Sequence, residues 1–475
     1  MFYLGKVNVN KLIFMDFFKN TNSGRGLLIL FLVLMASQVS IAATKTWIGV
    51  SGANWGTNTN WSPTGVPGAA DDVVINTSLN INIDNNSTIN SLVVNNNAAV
   101  IFTSSGGGRV ITIDNSGSRI ESGSSLTLRG STGKGTRTMS IAYSGTGSTM
   151  AIDGSLVLTA VGHGSIYTAT NSITTVSGTL KNDGAGGGTS GVITSNASNL
   201  QFSSGGIYQH ALNGGDIPTA TWDVSSTVNV TGVTTTLPTT STFNQTFGNV
   251  IWNSTSQSAG LSLGGNLATV AGNFTVISTG TGNLKLLNSS NSLLGLTVGG
   301  NFTQSGGSLY VYGDNTQNVG GGLLMTVNGN VSISSGTLTL NANTDATSSG
   351  TINVKGNLSI SGGTITETGS GTAAQHPRQP FPSAGGGTGG TAGPADADSA
   401  ASCPVLQRRG ERRGSGVEDR AAVLAQYRPS REEALRGARG WLSRRHAGRG
   451  GRRLSRAFSQ AVRSGRLPRV PHVAA

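Results

Sequence analysis

A unit that can be laid on itself four times between Ala271 and Gly369 constrains this chain more than any local motif does. Val270-Ala271-Gly272-Asn273-Phe274, Val298-Gly299-Gly300-Asn301-Phe302, Val327-Asn328-Gly329-Asn330-Val331 and Val354-Lys355-Gly356-Asn357-Leu358 all read Val-x-Gly-Asn-apolar. The four asparagines follow one another at 28, 29 and 27 positions. Three units continue in step through Ser305-Gly306-Gly307-Ser308-Leu309, Ser334-Ser335-Gly336-Thr337-Leu338 and Ser361-Gly362-Gly363-Thr364-Ile365. A fixed period of roughly 20 to 50 residues marks a solenoid or array, because one repeat cannot bury its own apolar face and must stack on the next.

The residue types say what each repeat forms. Apolar positions alternate with Ser, Thr or Tyr in Leu309-Tyr310-Val311-Tyr312, Leu338-Thr339-Leu340 and Val331-Ser332-Ile333, the period of a strand with one buried face. Gly-Gly, Asn-Gly and Gly-Asn pairs between the runs are expected to supply the positive φ angles of tight corners, with Asn273, Asn301, Asn330 and Asn357 at those corners. No long amphipathic helical pattern occurs between residues 43 and 370. The expected fold is all-β, a right-handed parallel β-helix with coils of about 28 residues, which stacks Val298, Val327 and Val354 in one column. Some 300 residues then make about ten or eleven coils and a rod on the order of 50 Å long, at about 4.8 Å per coil.

Residues 1–42 read as a cleaved secretory signal. Lys6, Lys11, Lys19 and Arg25 precede the apolar run Leu27–Met35, and Ser40-Ile41-Ala42 supplies small residues at a cleavage position. That run is shorter than the roughly 20 residues a spanning helix needs, so no transmembrane span is expected after its removal. Residues 43–75 form a Trp-rich opening segment, with Thr46-Trp47-Ile48-Gly49, Asn54-Trp55-Gly56, Asn60-Trp61-Ser62-Pro63 and Asp71-Asp72-Val73-Val74-Ile75. Together with Gln245–Asn253 and the Gly-Asn repeats, this pattern resembles secreted β-strand-repeat surface proteins of Gram-negative bacteria, many of them exported by type IX secretion. The resemblance covers about residues 46 to 370 and implies an extracellular or outer-surface scaffold, adhesin or carrier. On physical grounds, Trp47, Trp55 and Trp61 are expected to cap the open end of the first coil; the competing role is stacking on sugars.

Residues 76–264 keep the composition with a degenerate repeat, and residues 265–372 hold the regular one. Asn-x-Ser/Thr triplets, as at Asn86, Asn244, Asn273 and Asn301, follow from a composition rich in Asn, Ser and Thr and are not read as glycan sites. From residue 373 the chain changes character. Residues 376 to 475 carry 19 of the 32 basic residues, all Arg, with seven carboxylates and no Asn, so the net charge of +12 belongs to this tail. Three readings meet there: a basic arm for nucleic acid, a disordered extension with one helix from Ser430, or a segment that is not a natural continuation, such as a frameshift or chimera. The last is preferred, and no specific nucleic-acid partner is expected.

A parallel β-helix can also house a carbohydrate-active lyase or hydrolase, which needs carboxylates at a defined separation or a base with bound cations. Asp114, Asp153, Asp223, Asp314 and Asp345 stand alone in the sequence, and Asp71-Asp72 lies in the opening segment. His163, His210 and Cys403 have no metal-site spacing. The expectation is therefore a non-catalytic protein with no cofactor and no metal site, contacting polysaccharide or cell-surface components through the flat faces of the rod. Tyr310 and Tyr312 are the candidate carbohydrate contact, since strand alternation would turn both rings outward if Leu309 and Val311 face inward.

Overall fold

The computed structural model describes residues 42–132, 137–159, 164–184, 191–314 and 319–369, and the backbone of 372–377. The chain divides into two units, residues 1–384 and 385–475, and every described residue belongs to the first. The leader expected over residues 1–42, apart from Ala42, and His163, Cys403 and the helix expected from Ser430 lie outside the described residues.

The fold is a parallel β-solenoid. Its strands form sheets of nine, fifteen, five and six members, and the long sheet climbs through twelve rungs, from Leu79–Ile83 to the split rung of Leu358–Ile360 and Thr364–Thr366. One or two more coils are thus present than the length suggested. Every described ladder is parallel except Thr46-Trp47 against Trp61-Ser62, which lies at the capped end. In the first half, each coil passes from the nine-stranded sheet to the long sheet and then to the five-stranded sheet, as in Ser91–Val94, Ala99–Ser104 and Arg109–Ile113. The nine-stranded sheet ends at Thr221–Trp222, and the six-stranded sheet that precedes the long sheet in later coils begins at Thr246–Phe247. Trp222 bridges the exchange: its ring stacks on Phe202 at 4.2 Å and meets Phe247 edge-on at 5.3 Å.

The valine column is present. Val270 pairs with Val298, Val298 with Val327 and Val327 with Val354, and all four are buried at 3% exposure or less. Each such side chain contributes on the order of 1.5–3 kcal/mol by leaving water, which a lone coil could not supply. The period is not constant. Partners on the long sheet lie as few as 20 positions apart, as in Ile207 with Thr227, and as many as 30, as in Ser125 with Ser155. The corners absorb this variation. Asn95 to Ala98, Glu121 to Ser124 and Asp223 to Ser226 turn through four residues, each closed by a hydrogen bond from the last N–H to the first carbonyl.

Later coils turn on Gly-Asn, and the reason for that glycine differs from the expected one. Gly272, Gly300, Gly329 and Gly356 do not have positive φ; instead, a Cβ there would lie 2.5–2.6 Å from the side-chain oxygen of the asparagine one coil earlier. These glycines exist for close approach. Positive φ is needed one bend further on, at Gly307 (φ 68), Gly336 (φ 83) and Gly363 (φ 75).

Candidate functional site

The registers of the long sheet place Asn80, Ile101, Thr127, Val157, Lys181, Gln209, Asn229, Ile251, Thr275, Thr303, Ser332 and Ser359 in a single outward row, one per rung. Their strand neighbours, such as Val100, Leu126, Leu156, Val228, Phe274, Phe302 and Val331, face the core and are buried. Period-two alternation forces this division. At about 4.8 Å per rung, the row is roughly 50 Å long. It carries mostly hydroxyl and amide groups, with Ile101, Val157 and Ile251 between them, and its single cation, Lys181, is paired with Asp183 at 2.8 Å. Such a face is flat, nearly neutral and rich in groups that both donate and accept hydrogen bonds.

Tyr310 lies on the adjoining face formed by the second half of the strand Phe302–Tyr312. It is half-buried and sits in register between Lys285 of the preceding coil and Thr339 of the next. The Lys285 ammonium is 2.8 Å from Asp314 Oδ2, and this is the most enclosed of the three described ion pairs, with side chains 15% and 18% exposed. An aromatic ring and an ion pair therefore lie on two adjacent coils, with Lys285 in register with Tyr310. Lys285 went unnoticed in the sequence, where Asp314 reads as a solitary carboxylate, although Lys285 lies one coil from Tyr310 and could be found by stepping back a period.

Tyr312 is not part of that surface. The chain turns at Gly313 (φ 82), so alternation ends and the Tyr312 ring turns inward, fully buried. Its hydroxyl lies 3.1–3.2 Å from the carbonyls of Ser290, Val319 and Gly320 and 3.3 Å from the Ser290 N–H. It ties two corner loops together, and the outward pair expected from the sequence is reduced to Tyr310.

The three tryptophans form one enclosed cluster. Trp47 and Trp61 meet edge-on at 4.9 Å, Trp55 and Trp61 at 4.7 Å, and Trp55 reaches Phe102 at 5.7 Å. Trp61 Nε1–H donates to the Trp55 carbonyl at 2.9 Å, while the Trp55 N–H donates to Asn82 at 2.8 Å, so this segment lies directly over the first rung. With exposures of 3% or less, the rings offer no face to a sugar.

Asn273, Asn301, Asn330 and Asn357 sit at exposed corners and form a ladder in which each backbone N–H donates to Oδ1 of the asparagine one coil earlier, 2.8 Å in every case. The ladder starts at Asn249, outside the four readable repeats. The geometry also explains the Asn-x-Ser/Thr triplets at these positions: corner amide, inward apolar residue, outward hydroxyl.

Titratable groups are also enclosed. His210 Nε2 lies 2.9 Å from the Gly214 carbonyl, and its Nδ1 lies 3.1 Å from the Tyr208 hydroxyl. Burial pushes the His210 pKa down to about 4 and the Tyr208 hydroxyl well up. Tyr143 and Tyr167 share a hydrogen bond of 2.9 Å, Tyr167 continues to Thr174 at 2.7 Å, and burial raises Tyr167 to about 12. All of these lie inside the coil. Among the described residues, no three His, Cys, Asp or Glu side chains are placed to hold one metal ion. Compared with known protein families, curated proteins and solved structures, the chain matches none.

Proposed function

We propose that this chain is a non-catalytic, structural or adhesin-like rod of the cell surface or extracellular space, which contacts polysaccharide or a neighbouring surface through its flat outer faces. The observation that supports this reading is the uninterrupted outward row of the long sheet, from Asn80 to Ser359, beside the Tyr310, Lys285 and Asp314 group. Repeated weak contacts along about 50 Å suit an extended polymer, because each further rung binds intramolecularly once the first is engaged. Tyr310 can stack on a sugar ring while Lys285 and Asp314 meet its hydroxyls. The leader-like residues 1–42 support the location.

The test is retention of the full chain on a glycan array, on insoluble polysaccharides and on intact bacterial cells. The expected result is retention on at least one polysaccharide or cell surface, weakened several-fold by Tyr310→Ala. Failure to be retained on any of them removes the adhesive role and leaves a scaffold.

A further inference from the structure

Several outward polar groups of the long sheet are spent on one another. The Thr103 hydroxyl donates to Asn80 Oδ1 at 2.8 Å, the Arg129 guanidinium donates to the Thr103 oxygen at 2.9 and 3.1 Å, Gln209 Nε2 donates to Thr231 at 3.4 Å, and Lys181 pairs with Asp183. Three consecutive rungs of the later coils differ. They carry Asn273-Phe274-Thr275, Asn301-Phe302-Thr303 and Asn330-Val331-Ser332, in register with one another. The apolar residue of each triplet is buried, so the asparagine and the hydroxyl residue both face outward. Each asparagine oxygen accepts the backbone N–H of the next corner at 2.8 Å, but the amide nitrogens of Asn301 and Asn330 donate to nothing among the described residues. The hydroxyls of Thr275, Thr303 and Ser332 likewise make no hydrogen bond among the described residues. The result is an array of two columns, about 6–7 Å apart along the strand, with one amide and one hydroxyl about every 4.8 Å along the rod. Residues 224–284, 286–313 and 315–344 contain no Asp, Glu, Lys, Arg or His, so these rungs carry no charge.

We propose that a neutral, equatorially linked glycan lies along this array with one pyranose per rung. The inference rests on the polysaccharide-contacting role proposed above and specifies its ligand. An extended chain of such sugars advances, per residue, by a step close to the rung spacing, so successive sugars meet the same pair of groups without losing register over three rungs. The amide N–H donates and the hydroxyl both donates and accepts, which matches the mixture of hydroxyl and ether oxygens on a sugar ring. A uronate or sulfate would meet no counter-charge on these rungs and would be disfavoured. Each contact is weak, and the sum grows with chain length because every further sugar binds intramolecularly.

The experiment titrates the full chain calorimetrically with β-1,4-linked glucose, mannose and xylose oligomers of two to six units, and with a β-1,4-linked uronate oligomer. Affinity for at least one neutral series is expected to rise steeply from dimer to trimer or tetramer and then to level. It should fall at least five-fold in Asn301→Asp, whose carboxylate still accepts the Asn330 N–H but cannot donate, and in Thr303→Val, which keeps the shape and loses the hydroxyl. Thermal midpoints of both variants should match the parent, which separates lost contact from lost fold. A neutral glycan bound equally well by both variants places the contact elsewhere on the rod and overturns this inference while the polysaccharide role stands. Preference for the uronate oligomer overturns it in the same way. Retention on no glycan removes the inference together with the role it rests on.

Discussion

His210 gives the solenoid a sensitivity to acid. Burial, the largest cause, lowers its pKa from 6.5 to about 4, against the opposing hydrogen bond to Gly214 and the charge of Asp216. Between those two values the unfolded chain binds a proton that the folded chain refuses. Stability is therefore full above about pH 6.5 and falls as the pH drops toward 4, by about 3 kcal/mol for a shift of this size. Urea midpoints at pH 7.5 and 4.5 test this: His210→Gln should be less stable at the higher pH yet lose less on acidification, and an equal loss in both proteins excludes His210 as the source. Gly300 makes a different point about single residues. Its backbone conformation is open to alanine, but a Cβ would lie 2.5 Å from Asn273 Oδ1 and 2.9 Å from the Gly272 carbonyl. Gly300→Ala should cost about 1–3 kcal/mol, and Asn273→Ala in the same chain should recover part of that, because the nearer obstacle is gone. Strict additivity in the double-mutant cycle would contradict a steric origin.

At the scale of strands and corners, the regular coils were legible and the proposed contact face was only partly so. The Val-x-Gly-Asn period could be read because the later coils share one corner type, which keeps the registers of Val270, Val298, Val327 and Val354 near 28 residues. The earlier coils could not be read this way, since four-residue turns such as Asn95 to Ala98 alternate with tight ones, as at Asp153-Gly154, and the spacing drifts. The Trp47, Trp55 and Trp61 cluster follows from three large apolar rings near an otherwise open end, which is visible in composition alone. Tyr312 was misplaced because alternation says where a strand points but not where it stops, and the stop is set by Gly313 and the loops around Ser290 and Gly320. The two tyrosines should separate in experiment. Tyr312→Phe removes a hydroxyl serving several backbone groups and should cost about 1–3 kcal/mol in chemical denaturation, without changing polysaccharide retention. Tyr310→Ala should change stability by about 0.5 kcal/mol or less and weaken retention instead. Loss of retention in Tyr312→Phe alone would move the contact away from Tyr310.

Over the whole rod of described residues, stability is close to one-dimensional: each coil is held by its two neighbours, and the ends decide where opening begins. The two ends differ. At one, Trp61 is fully buried against Trp47 and Trp55, and the antiparallel pair Thr46-Trp47 with Trp61-Ser62 covers the edge. Toward the other, Thr372–Pro377 pairs with Ser348–Val354, but among the described residues nothing covers Leu358–Ile360, where Ile360 is 50% exposed and Leu358 only partly covered. Fraying should therefore be asymmetric. Native-state hydrogen exchange is expected to give amides of Asp72–Ile75 nearly the protection of mid-rod strands such as Thr227–Val230, while amides of Leu358–Ile360 exchange through local opening at much lower free energy. Trp61→Ala, which empties the cap and should cost about 3–5 kcal/mol locally, is expected to bring the first coils down to the protection of the last. Equal protection at both ends of the unaltered protein, or a Trp61→Ala effect spread evenly along all twelve rungs, would mean that the rod opens as one cooperative body and that the tryptophans do not act as a cap.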